Sequence, residues 1–255
     1  MMTFKTATKS IKGHIRSINQ DRVAFGDYYD LFFALICDGV GGEEGGEIAA
    51  QIVADAFERR FTEMVIDERT MDITDVVVET VDDLKKAMAI IGEGMVYSKM
   101  ATTFTSFYWS QKNEDKFMFF HCGDTRAYLV FEDGTIKQIT EDHTVASWAK
   151  NNNVDVSGVK NSTGKLTNAI SAQNKKINVD ILELDTKPLF EKGLRYIMLT
   201  SDGIHSFLTN EDFKSILIDQ KGTPRQKSIK LTQMSEHERN STDNQSVVLI
   251  EVKNA

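Results

Sequence analysis

An α+β fold of antiparallel sheets stacked between helical layers is the architecture this sequence predicts. Three observations carry it. Apolar residues alternate with a period near two in many short runs. Two long amphipathic helical stretches fall early, and two shorter ones fall late. Strands separate the helical sets, whereas a parallel βαβ array would interleave helix and strand throughout.

The chain opens with alternating runs around 3–8 and 22–25 and an apolar run at 31–37, all read as strands. Over 47–64 the pattern turns helical, with Ala49, Val53 and Phe57 sharing a face with Ile48, Ile52 and Ala56. A second helix is expected over 73–95, its stripe formed by Val77, Val81, Leu84, Met88, Ile91 and Met95. Strands follow at 104–109, 116–122, 126–131 and 136–139, with Glu132-Asp133-Gly134 as a hairpin turn. Residues 144–174 are polar and rich in Asn, Ser, Thr, Gly and Lys, which predicts a partly mobile loop. Strands return at 177–184 and 195–199, helices at 210–218 and 225–239, and a last strand at 246–252. Prolines occur only at 188 and 224, and there is no Gly/Ser-rich linker, so one domain over residues 1–255 is expected.

Composition narrows the function. A hydrophobic content of 41% with 27% charged residues is globular rather than disordered. The net charge of −8 opposes a nucleic-acid partner, because phosphate backbones are held by clustered Lys and Arg. It does not oppose a phosphorylated substrate, since bound cations reverse the field of an acidic cleft. Cys37 and Cys122 both sit in apolar runs without CxxC spacing, so neither a zinc site nor a thiol nucleophile is indicated. The N-terminus has no apolar signal-peptide core, and the longest unbroken apolar stretch, 31–37, is too short to span a bilayer. No membrane partner and a cytoplasmic location are the expectation.

Three carboxylates stand where apolar strands meet turns: Asp38 after FFALIC, Asp202 after RYIMLTS, and Asp243 just before QSVVLIEV. Asp124 begins another strand. Carboxylates crowded at one sheet edge resist ionising unless a counter-charge joins them, and oxygen-only ligands suit a hard divalent cation. The Gly-rich segment Asp38-Gly39-Val40-Gly41-Gly42-Glu43-Glu44-Gly45-Gly46-Glu47 fails as a P-loop. Glu47 takes the required Lys position and Ile48 the Ser/Thr position. Arg16, just before Asn19-Gln20-Asp21, has the planar fork that matches a phosphate dianion. His143 reads as a histidine that fixes a loop, and His121 as a core histidine.

Together the motifs resemble the metal-dependent serine/threonine protein phosphatases of type 2C, most closely the compact bacterial members. The series runs Arg16-Ser-Ile-Asn19-Gln20-Asp21, Asp38-Gly-Val-Gly-Gly42, Gly46-Glu47, Met100-Ala-Thr-Thr103 and Gly123-Asp124-Thr-Arg-Ala-Tyr128. It continues with Thr140-Glu-Asp-His143, Ser201-Asp202-Gly203 and Asp243-Asn244. The resemblance implies a four-layer αββα sandwich, two antiparallel β-sheets packed face to face with helices on both outer sides. It also implies hydrolysis of phosphoserine and phosphothreonine on proteins by a metal-bridging water in a binuclear Mn²⁺ or Mg²⁺ centre. By position, Asp38 would bridge the two ions, the Gly39 carbonyl would ligate one, and Asp202 and Asp243 would complete the other. Asp124 would serve a third, weaker metal, Asp21 would hold metal-bound waters, and Arg16 would grip the substrate phosphate. The implied partners are a phosphorylated protein and the Ser/Thr kinase that it opposes.

The chain departs from the family pattern at several positions. Glu43 stands where many relatives place a histidine that protonates the leaving alkoxide. Gln20 replaces a frequent Glu, Ala101 a Gly, and Asn168-Ala169-Ile170-Ser171 the Arg-containing stretch of the flap. A catalytically weak phospho-binding module and a small-phosphoester metallohydrolase remain the alternatives.

Overall fold

In the computed structural model, residues 2–28, 30–40, 45–66, 72–93, 99–155 and 164–254 are described. The first strands are β1 (Met2–Ile11), β2 (Asp21–Asp27) and β3 (Leu31–Asp38). Helices α1 (Gly46–Ile66) and α2 (Ile73–Gly92) follow, then the short β4 (Ala101–Thr102). Next come β5 (Phe104–Ser110), β6 (Lys116–Cys122), β7 (Arg126–Phe131) and β8 (Ile136–Gln138). They are followed by α3 (Val145–Asn151), β9 (Ile170–Ser171), β10 (Asp180–Asp185), α4 (Thr186–Glu191) and β11 (Leu194–Thr200). The chain closes with α5 (Asp202–His205), α6 (Asn210–Lys214), α7 (Pro224–Gln233) and β12 (Gln245–Asn254).

Two five-stranded antiparallel sheets result, ordered β1-β12-β11-β7-β8 and β10-β6-β5-β3-β2. Side chains alternate across a strand, so a strand buried on both faces must be apolar at every position. β3 shows this directly. Phe32, Ala34 and Ile36 point into the core between the sheets, where they meet Leu129, Ile197, Val248 and Ile250. Leu31, Phe33, Leu35 and Cys37 point the other way, into the layer under α1 and α2. The first sheet does the same on its far side: Tyr128, Met198, Val247 and Leu249 pack with Phe213, Ile216 and Leu231 of the late helices. Phe4 stacks on Phe32 across the sheets at 4.2 Å, and Phe57 of α1 stacks on Phe104 of β5 at 3.9 Å. Four layers, helix–sheet–sheet–helix, follow from these three apolar interfaces.

Two local expectations change. The polar stretch 144–174 holds α3, started by the Thr144 side chain accepting from the Ser147 amide, and the β9 strand paired with β4. The six-residue α4 is too short to show a helical period. Among the described residues, no helix is long and apolar enough to cross a membrane.

Candidate active site

Antiparallel pairing brings six chain segments to one end of the sandwich. Asp21 opens β2 opposite Asp38, which closes β3. The β5–β6 register sets Phe104 against Cys122, so the turn bearing Asp124 joins the same end. Thr200, at the end of β11, pairs with both Arg126 and Val247, which places Asp202 and Asp243 there too. Arg16 arrives on the connection from β1 to β2.

Asp38 is held through its backbone. Its amide donates to Thr103 Oγ1, while Thr102 Oγ1 and the Thr103 amide donate to its carbonyl, each at 2.9 Å. That is what the Met100–Thr103 motif does, leaving the Asp38 carboxylate free to face the cavity. Beyond it the chain passes so close to the start of α1 that a Cβ on Gly39 would lie 2.4 Å from the Gly46 carbonyl oxygen. A second tie comes from Asn244, a residue the sequence reading quoted without a role. Its Oδ1 accepts from the Gln20 amide at 2.9 Å, and its Nδ2 donates to the carbonyls of Lys12 (2.8 Å) and Ile18 (2.9 Å). Asn244 thereby fixes the loop that carries Arg16.

A cavity of about 390 Å³ opens at this end, lined by Asp38, Asp124, Asp202 and Asp243 together with Arg16. Gly39, Val40 and Thr103 form part of the wall, and Gly164, Lys165 and Leu166 cover another side. Arg16 Nη2 lies 2.5 Å from Asp243 Oδ2, so its fork rests on a carboxylate here. Asp21 does not line the cavity. Its buried carboxylate accepts from Ser201 Oγ at 2.8 Å. Glu43, together with Gly41, Gly42 and Glu44, lies outside the described residues.

Burial and mutual repulsion push Asp21, Asp38, Asp124 and Asp202 upward. Asp38 is raised well above the usual carboxylate range, first by burial and then by the charges of Asp21, Asp202, Asp124 and Asp243. Burial lifts Asp21 and Asp124 each to about 7, and burial with the Asp243 charge lifts Asp202 to about 6. Among the described residues, no three histidine, cysteine or carboxylate side chains are gathered tightly enough to hold a metal ion by themselves. Mg²⁺-type ions need only one or two carboxylates and keep several waters. The set of oxygen donors, short of positive charge and open to solvent, fits such ions.

His143 and His121 stand beside the cavity rather than in it. His143 Nδ1 accepts from the Gly123 amide (3.1 Å) and Asn168 Nδ2 (2.9 Å), and Nε2 faces Asp180 Oδ2 at 3.0 Å. Two donors on Nδ1 place the proton on Nε2. His143 therefore joins the Asp124 turn to the 164–171 segment. His121 is buried between Thr105 Oγ1 and the Glu141 carbonyl, and burial lowers it to about 4.

Comparisons with known proteins show what the chain is similar to. A Mycoplasma genitalium sequence named as a candidate protein phosphatase is 28% identical over 221 residues, covering 83% of this chain and 82% of its own. The serine/threonine phosphatase Stp1 of Staphylococcus aureus superposes with a TM-score of 0.84 at 20% identity, covering 99% of this chain and 96% of that one. The catalytic domain of the phosphatase PstP, in complex with two manganese ions, gives a TM-score of 0.76 at 21% identity over 100% of both chains. The family model described as protein phosphatase 2C matches residues 12–236, a span that takes in Arg16, Asp21, Asp38, Asp124 and Asp202. The chain belongs to the protein phosphatase 2C family and is, by that membership, a protein-serine/threonine phosphatase.

Proposed function

We propose that the chain is one catalytic domain over residues 1–255 that removes phosphate from phosphoserine and phosphothreonine in proteins, using two Mn²⁺ or Mg²⁺ ions. The observation that carries this reading is the meeting of four carboxylates and a guanidinium around one open cavity. Asp38, the Gly39 carbonyl, Asp202 and Asp243 would hold the pair of ions, and Asp124 a third, weaker one. When bound, the ions supply an acidified water and neutralise charge on the phosphoryl oxygens. Arg16 supplies the bidentate grip, its planar fork moving from Asp243 to the phosphate as the dianion enters. Asp21, behind Asp38 and tied to Ser201, keeps a polar floor under the site. Thr102, Thr103 and Asn244 hold the backbone that aims these groups, so the arrangement is set before the substrate arrives. The substrate is made by a Ser/Thr kinase, the enzyme whose action this one reverses.

The test is phosphate release from a phosphothreonine peptide with Mn²⁺, with chelator, and with Asp202→Asn. Turnover that needs Mn²⁺ and falls by at least about a hundredfold in the variant is expected. Tight Mn²⁺ binding without turnover would instead favour a phospho-binding module, and no binding at all would end the proposal.

A further inference from the structure

Lys165 is a cation at the cavity wall with no work assigned to it. It lies in the polar stretch after α3, and among the described residues it is, with Arg16, one of two basic residues that line the cavity. The two come from different segments, Arg16 from the β1–β2 connection and Lys165 from the stretch beyond α3. The placement of Lys165 is fixed by backbone rather than by its own side chain. The Val145 amide donates to the Lys165 carbonyl at 2.9 Å, and Leu166 bridges to Thr144. The Thr167 amide donates to the His143 carbonyl at 2.8 Å, and the His143 amide donates to the Gly123 carbonyl at 2.7 Å. The lysine segment is thus anchored to the turn that carries Asp124. Arg16, by contrast, is already engaged by Asp243. No ion pair to the Lys165 ammonium occurs among the described residues, although four carboxylates share its cavity.

Charge balance shows what such a cation is suited to. Before the third, weaker ion joins, two divalent ions would cancel the four carboxylates that line the cavity among the described residues. An entering phosphate dianion then needs two further positive charges, and Arg16 alone supplies one. Resting on the phosphatase reading above, we propose that Lys165 is a second phosphate-binding residue, holding the dianion together with Arg16. A lysine suits the position because it acts as a mobile point charge and needs no fixed fork geometry.

The experiment compares the Mn²⁺-loaded wild type with Lys165→Gln and Lys165→Arg. Substrates are a small aryl phosphate and a phosphothreonine peptide, and inorganic phosphate is titrated by calorimetry. Lys165→Gln should raise KM for both substrates by about tenfold and weaken phosphate binding by the same factor, with kcat within about threefold. Lys165→Arg should restore most of the loss. Unchanged KM and unchanged phosphate affinity would make Lys165 a solvated surface lysine. A KM raised for the peptide alone would mean that it reads the polypeptide, which overturns the phosphate assignment. If the wild type hydrolyses neither substrate, the phosphatase reading falls, and the phosphate titration still decides for or against Lys165.

Discussion

Gly203 follows Asp202 immediately, and replacing it by alanine probes how closely the site is packed. The added Cβ would lie 1.8 Å from the Asn244 carbonyl oxygen, whereas real Cβ contacts stay beyond 3.0 Å. About 1.2 Å must therefore be found between two backbone segments, with no flexible side-chain end to yield it. Forced overpacking costs about 1–3 kcal/mol, and a backbone clash belongs at the upper end. For a chain of this size, about 3 kcal/mol lowers Tm by roughly 6–12 °C. Asn244 neighbours Asp243, so the strain enters the site, where a displacement near 1 Å costs about a hundredfold in rate. Thermal melts and Mn²⁺-dependent peptide hydrolysis, both on Gly203→Ala, measure the two effects. Gly164→Ala is the stability control, because its added carbon meets no atom within 4 Å. A Gly203→Ala protein with Tm within about 2 °C of wild type and undiminished turnover would refute this account of the packing.

Two further outcomes follow from the same geometry. Asn244→Ala removes the partners of the Gln20 amide and of the Lys12 and Ile18 carbonyls, which should cost about 3 kcal/mol in melts. It should also raise KM at temperatures where the variant remains folded. An unchanged KM there would detach Asn244 from the placing of Arg16. Mn²⁺ should raise Tm more at about pH 7.5 than at about pH 5.5. The sign follows from Asp21, Asp124 and Asp202, whose folded values of about 7, 7 and 6 exceed their ordinary 3.8. Without a cation, the native state holds protons between those limits that the unfolded chain has released. That contribution is present at the acid end and is lost as pH rises through about 7, while cations must displace the same protons. Equal Tm increments at the two pH values would contradict raised carboxylates at the cation positions.

Much of the scaffold was legible because the central strands bury two faces. The runs 116–122 and 126–131 match β6 and β7 residue for residue, since an apolar side chain is required at nearly every position. Helix α4 stayed hidden because six residues contain too few turns for a period, and α3 because only Ala149 of its residues is buried. In the site, Asp38, Asp124, Asp202 and Asp243 announced themselves as acids at strand ends, where an apolar run stops without a structural need for charge. Their meeting was a tertiary fact, brought about by strand pairings that no local pattern records. Lys165 left no signal, since one lysine in a polar stretch looks like any solvated residue. Asn244 stood in a quoted motif, but its role did not show, because its side-chain hydrogen bonds run to backbone atoms more than 220 positions away.

That separation bears on when the enzyme comes into being. Arg16 and Asp243 are 227 positions apart, and the loop carrying the first is tied down by the neighbour of the second. Closing so long a loop is entropically late, and during synthesis the far partner emerges only after the first sheet has most of its other strands. A growing or truncated chain that has made Asp38 and Asp124 still has no Asp243 and no anchored Arg16. With the roles proposed for Arg16 and Asp243, catalytic competence would arrive only once β12 has paired.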